Sequence, residues 1–421
     1  FGMPVETMEL CRLLTDCLKK NGPVEAERLS ALTQEQSRAF LALAADQRIS
    51  PLLWHRLKEK GVDGALRSEV AEQLRESFLR NTMRNLRLYG ELHLLLSTLN
   101  AEGISLLLLK GIYLAEAVYG IAGLREMSDI DVLARPADLE RIVEVLAGMG
   151  YAPLQPIHEG ITDTARHHLP PMVKKGHASF EIHWDLTPPN ERYRIDPGEL
   201  WKRAVRVNIA AGCDGLALSP EDLLLHLCWH TSDHHRFAFG LRPSCDIAQI
   251  IARFGPELDW HAFTELAISC GSQRGVYLAL ELARELAGAD VPAGTLDRLR
   301  PADMSETIMG AVRAQTFTIK SFANSIPESF ADFLEHRRFR DKIRIFGERV
   351  FLPKAMIAAQ YSVPMDSVRI YGCYGRRVVD LLRRHGPTLK KCRQDSDQFT
   401  PLVERTNLIA DWLDDEVKQR R

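Results

Sequence analysis

Six residues constrain this chain more than any others. Ser128-Asp129-Ile130-Asp131-Val132-Leu133 alternates polar and apolar with period two before turning apolar, which predicts a β-strand. Successive side chains on a strand leave opposite faces, so Asp129 and Asp131 share one face and Ile130 and Val132 the other. Two carboxylates aimed together from a buried strand repel each other and become tolerable when a cation sits between them. Hard oxygen donors in that arrangement suit Mg²⁺, or Mn²⁺, which binds one or two carboxylates together with substrate phosphates.

The surrounding sequence supplies matching parts. Residues 104–109 are an apolar run between Gly103 and Gly111, expected as a strand buried on both faces. Lys110-Gly111 then joins this strand to a short helix at 113–119. A glycine there lets the backbone approach a phosphate, a helix N-terminus offers free N–H donors, and Lys110 adds a positive charge. Arg125, four residues before Asp129, is a second candidate phosphate contact. Pro136 opens a helix that Gly150 closes. A third strand is expected at 178–186, where Phe180, Ile182 and Trp184 alternate with Glu181, His183 and Asp185. If that strand neighbours the Asp-x-Asp strand, Glu181 joins the acid pair. Three carboxylates from two strands are enough to hold two metal ions for an in-line phosphoryl displacement.

Either side of this unit the periodicity is helical. Thr33 to Gln36 reads as a capping box, and Ser219-Pro220-Glu221-Asp222 as an N-cap, an N1 proline and an acidic first turn. After Pro189 the pattern is mostly helical. The expected organisation is a helical region at 1–84, an α/β core at 85–215 and a helical region at 216–421. His226 and His230 stand four apart on one expected helix, with Asp246 on the next. These read as packing or cleft-lining groups, since no His-Glu-x-x-His pattern is present. His167-His168 and His234-His235 fall in expected loops. Arg376, Arg377, Arg383 and Arg384 lie on one expected basic helix.

Composition removes several function classes. The 421 residues carry 54 Lys and Arg against 56 Asp and Glu, a net charge of −2, so a polyanion binder driven by bulk charge is excluded. Hydrophobic residues at 45% and charged residues at 26% exclude a low-complexity disordered chain. No run of eighteen apolar residues is present, so no membrane span is expected. Met3-Pro4-Val5-Glu6 lacks the basic start and apolar stretch of a secretory signal. The eight cysteines contain no Cys-x-x-Cys pair and read as reduced thiols of a cytoplasmic protein. No sequence-reading nucleic-acid module is recognisable.

The order of strand, glycine turn, helix, Asp-x-Asp strand and later acid-bearing strand resembles the polymerase-beta-type nucleotidyltransferase superfamily. More closely, Leu109-Lys110-Gly111, Arg125, Ser128 to Leu133, Gly150-Tyr151 and Glu181-Ile182-His183-Trp184 resemble a bacterial branch known as "nucleotidyltransferase family protein". The likeness covers residues 85–255, including His226, His230 and Asp246-Ile247. It implies an α+β fold, a small mixed β-sheet nucleotidyltransferase core embedded in a predominantly helical chain. It implies Mg²⁺ or Mn²⁺ held by Asp129, Asp131 and Glu181, and a nucleoside triphosphate contacted by Lys110, Gly111, Arg125 and Ser128. His183, His230 and Asp246 would line the cleft. The activity implied is transfer of a nucleoside monophosphate to an acceptor hydroxyl with pyrophosphate release, the helical flanks being available to a protein partner. The turn departs from the superfamily pattern: Lys110-Gly111-Ile112 carries no hydroxyl.

Two other functions fit part of the pattern. A nucleotidyltransferase-like core without the turn hydroxyl suits a non-catalytic scaffold or binding module in a biosynthetic cluster. Alternatively, His183-Trp184-Asp185 with Asn190 resembles the catalytic loop of aminoglycoside-type kinases, although no glycine-rich phosphate loop precedes it.

Overall fold

A computed structural model describes residues 5–22, 24, 26–157, 162, 167–188, 195–318, 350, 354–361, 363, 364, 367–394 and 396–420. Two units are distinguished: residues 2–317 with 413–421, and residues 318–412. The first contains a mixed sheet of seven strands within a predominantly helical α+β framework. In the second, Ile357, Ile370 and Cys373 form a small apolar cluster with Tyr361, Val363 and Tyr374 packed against it. Arg376 and Arg383 lie exposed and Arg377 half-buried on the helix Arg369–Gln394. No helix among the described residues is long and apolar enough to cross a membrane.

The strands are β1 (Leu107–Leu108), β2 (Asp129–Leu133), β3 (Ala152–Pro153), β4 (Met172–Val173), β5 (Ser179–His183), β6 (Val205–Ile209) and β7 (Cys213–Ala217), in the spatial order β3-β4-β5-β2-β1-β7-β6. β1 is shorter than its apolar run, but it lies inside the sheet, antiparallel to β2 and parallel to β7. Flanked on both sides, its leucines are wholly buried, which is why the run shows no alternation. β6 and β7 form an antiparallel hairpin where the sequence reads as mostly helical.

The helix Ser68–Ala101 runs without a break for 34 residues, about 50 Å at the usual rise per residue. It buries Leu88, Leu92, Leu95 and Leu99 on one side and leaves Met83, Leu86 and Leu94 exposed on the other. Downstream of the sheet, Ser219 caps the helix Pro220–Trp229 by accepting from the Asp222 backbone N–H, and Thr33 forms the expected capping box. Two π-helical turns, Leu114–Val118 and His230–His234, interrupt this regular helical architecture. Such turns recur at functional positions because they re-aim side chains.

Candidate functional site

β2 and β5 are parallel neighbours, with Asp129 opposite Ser179, Asp131 opposite Glu181 and Leu133 opposite His183. Alternation then decides which groups meet. Asp129, Asp131, Glu181 and His183 share one face, while Ile130, Val132, Phe180 and Ile182 point into the core with zero exposure. The ligand atoms of Asp131, Glu181 and His183 lie within 4.8 Å of one another. His183 Nε2 is 3.2 Å from Asp131 Oδ1 and 3.8 Å from Glu181 Oε2. Lys110 Nζ reaches the same Asp131 oxygen at 3.5 Å.

Electrostatics divides the acids. Burial alone would raise the Asp131 carboxyl, but the Lys110 ammonium and the His183 hydrogen bond hold it well below the usual carboxylate range. Asp129 is pushed up by burial and then by the charge of Asp131. Glu181 is pushed up to about 7 by burial and by the Asp131 and Asp129 charges. Burial lowers His183 to about 4 despite its bond to Asp131, so the ring is neutral at pH 7 and donates through Nε2. Its Nδ1 is buried with no hydrogen-bond partner among the described residues. Two carboxyls held up by burial and by the Asp131 charge, beside Asp131 itself held ionised, form a donor set that a hard divalent cation would satisfy. That chemistry fits Mg²⁺ or Mn²⁺.

The Lys110-Gly111 turn is shaped from behind. Lys110 takes the left-handed backbone region at φ +41°, at the start of the turn Lys110–Tyr113. A Cβ at position 111 would stand 2.6 Å from Arg125 Nη1, so glycine there makes room for that guanidinium. Arg125 is almost wholly buried. Its Nε and Nη2 each donate to Asp246 at 2.9 Å, and the Tyr119 hydroxyl donates to the same carboxylate at 2.8 Å. Arg125 and Asp246 therefore meet each other and brace the turn.

Several groups without a sequence signal hold the loop before β2. The Asn81 amide donates to the carbonyls of Gly123 at 2.7 Å and Arg125 at 3.0 Å. Asn85 donates to Arg125 O at 2.9 Å and also to Ala122 O. Arg242, on the helix Arg242–Phe254, donates to Glu126 O at 2.8 Å. Burial and the neighbouring Arg125 lower its guanidinium to about 10. On the sequence, the two asparagines look like ordinary polar helix positions. The only available sign is their spacing of four on the face that otherwise carries leucines.

A cavity of about 80 Å³ adjoins the acid set, with Lys110, Glu181 and His183 on the sheet side and His226, His230 and His234 on the helical side. This is room for an ion with a few waters, not for a nucleotide. Ser128 is exposed and opens instead onto a groove of about 1600 Å³, which Arg84, Arg87 and Lys174 also line. Asp185 accepts from the Thr187 backbone N–H at 3.2 Å and so closes a local turn. Asn190 of the kinase-like pattern lies outside the described residues.

A family model described as an uncharacterised nucleotidyltransferase matches residues 33–288, which contain every residue of this site. No curated protein and no solved structure matches the chain.

Proposed function

The chain belongs to this family of uncharacterised nucleotidyltransferases, and from that premise we propose that it moves a nucleoside monophosphate from a nucleoside triphosphate to an acceptor hydroxyl, using Mg²⁺ or Mn²⁺. The observation that carries the reading is the parallel register that sets Asp131 beside Glu181, with Asp129 on the same face.

The acceptor oxygen attacks the α-phosphorus, the bond from that phosphorus to the bridging oxygen breaks, and pyrophosphate leaves. When bound, a divalent cation supplies positive charge against the triphosphate. Asp131 would be the anchoring carboxylate, with Asp129 and Glu181 completing the donor set. Glu181 would also favour deprotonation of the acceptor hydroxyl. Lys110 offers its ammonium to the β- and γ-phosphates, and Gly111 and Arg125 keep the turn in place. Positioning and charge stabilisation are expected to provide most of the acceleration.

The test is a thermal-shift and pyrophosphate-release panel. Four nucleoside triphosphates are presented with and without Mg²⁺ or Mn²⁺ to the full chain and to an Asp129→Asn, Asp131→Asn double variant. Metal-dependent stabilisation and pyrophosphate release, both lost in the variant, are expected. Stabilisation without release across a broad acceptor set would favour a binding module. No metal-dependent nucleotide effect would remove the site from nucleotide chemistry.

A further inference from the structure

We infer that His230, His234 and His235 form a second metal site, built for a nitrogen-seeking transition-metal ion of the Zn²⁺ class. It is separate from the carboxylate set. The inference does not depend on nucleotidyl transfer.

The backbone places three rings together that an ordinary helix would spread. In an α-helix His230 and His234 would share a face, and His235 would lie a further 100° around. Here the His235 N–H donates to the His230 carbonyl at 3.1 Å, an i to i+5 bond that widens the turn. A wider turn sets both i+4 and i+5 next to residue i. The chain then leaves through two consecutive non-glycine residues in the left-handed region, Arg236 at φ +43° and Phe237 at φ +61°. Phe237 is 2% exposed, and its N–H donates to Thr231 O at 2.8 Å, which locks the exit. Strain of this kind persists where surrounding structure over-determines it, and it gathers at functional positions.

The rings converge accordingly. His230 and His234 are stacked with centroids 5.1 Å apart, His230 and His235 meet edge-on at 4.3 Å, and His234 and His235 are 4.8 Å apart. His235 is itself stacked on Phe239 at 4.1 Å and 11°, which fixes its plane. One ligand nitrogen from each of the three lies within 4.8 Å of the others. Tetrahedral Zn²⁺ with bonds near 2.0–2.1 Å needs ligand nitrogens about 3.4 Å apart, a closure that side-chain rotation can supply.

The donor set selects the ion. Three imidazoles without a carboxylate suit Zn²⁺, Co²⁺, Ni²⁺ or Cu²⁺ and not Mg²⁺. Three protein ligands leave a fourth position open, the arrangement of sites that engage a water or a substrate group. His234 is exposed and gives the ion an entry path, while His230 and His234 also line the cavity shared with Glu181 and Lys110. His226, on the same wall, has its Nε2 buried without a hydrogen-bond partner among the described residues.

The test loads the chelator-stripped full chain with Co²⁺ and follows the visible ligand-field bands of tetrahedral nitrogen coordination, then displaces Co²⁺ with Zn²⁺. His234→Ala and His235→Gln are compared with Asp131→Asn, each checked for unchanged circular dichroism and metal-free melting. One equivalent of Co²⁺ is expected, insensitive to a large excess of Mg²⁺, retained in Asp131→Asn and weakened at least tenfold in both histidine variants. The inference is overturned if the wild type takes up no stoichiometric Co²⁺ or Zn²⁺. It is also overturned if the histidine variants bind as tightly as wild type, or if Asp131→Asn abolishes binding while they retain it. Because Co²⁺ uptake needs no nucleotide, a failure of the transferase reading leaves this result legible.

Discussion

Arg125 and Asp246, 121 positions apart in the chain, form a buried two-pronged ion pair with both N–H···O distances at 2.9 Å. Burial would discharge the guanidinium, and the Asp246 carboxylate holds it charged. Removing one partner leaves a buried charge without compensation, which costs about 3–5 kcal/mol. Asp246→Ala is expected to lower urea stability by that order. A double Arg125→Met, Asp246→Leu variant should lose clearly less than the sum of the single changes. Additive losses would mean that the two groups are not coupled.

Asp129 is expected to trade stability for function. Its carboxyl is raised by burial and by Asp131, so the ionised form is disfavoured in the metal-free protein. Asp129→Asn should therefore raise the metal-free melting temperature, by on the order of 1 kcal/mol of stability, while abolishing metal-dependent nucleotide stabilisation. A variant that melts lower than wild type without metal would contradict the assigned repulsion.

Gly111 tests the packing behind the turn. An added methyl would press on Arg125 Nη1, a group that Asp246 prevents from moving aside. Gly111→Ala is expected to cost about 1–3 kcal/mol by overpacking, and to reduce nucleotide-dependent stabilisation as well. Equal denaturation midpoints for variant and wild type would show that the turn yields freely.

Acid should destabilise the fold before its ordinary carboxylates titrate. Unfolded histidine takes a proton near pH 6.5, whereas burial lowers His183 to about 4 and His167 to about 3, and holds His226 and His230 well below the usual value. Below pH 6.5 the unfolded chain binds protons that the native chain refuses, so stability falls as pH drops from about 6.5 towards 4. Glu181 acts oppositely, because its native carboxyl, raised from 4.5 to about 7, takes a proton first. Four imidazoles outweigh it. Urea midpoints for the metal-free protein are expected to decline between pH 7 and 5, and His226→Gln should flatten that slope. A flat wild-type profile would refute the buried neutral rings.

The chemistry-bearing strands were legible because alternation is a local property. Asp129 and Asp131 announce a shared face by spacing alone, and Glu181 by its alternation with Phe180 and Ile182. The parallel register that sets Asp131 against Glu181 is a tertiary fact, and no local pattern encodes it. The hairpin of β6 and β7 went unread, although Val205-Arg206-Val207-Asn208-Ile209 alternates. Its turn runs through Ala210, Ala211 and Gly212, all at positive φ, where two alanines replace the usual Asn-Gly signal. Asn81, Asn85 and Asp246 act on backbone or on a partner far along the chain, so their roles emerge only from the fold. The widened turn at His230–His234 has no sequence signature of its own.

β1 consists of two residues, yet it joins the β2–β5 side of the sheet to the β6–β7 hairpin. One of its neighbours, β7, begins at Cys213, about a hundred residues later. During synthesis, therefore, the ribosome releases Leu107 and Leu108 long before their second partner exists, and the nascent chain carries an unclosed apolar edge throughout. Bringing β7 back closes a long loop, a step that slows folding and leaves partly made sheet exposed to other chains. Asp246 emerges later still, so Arg125 waits for its counter-charge until the helix Arg242–Phe254 has left the exit tunnel. Chains truncated in the stretch between β7 and that helix should be the aggregation-prone intermediates of this protein's biogenesis, and the ones most in need of a chaperone.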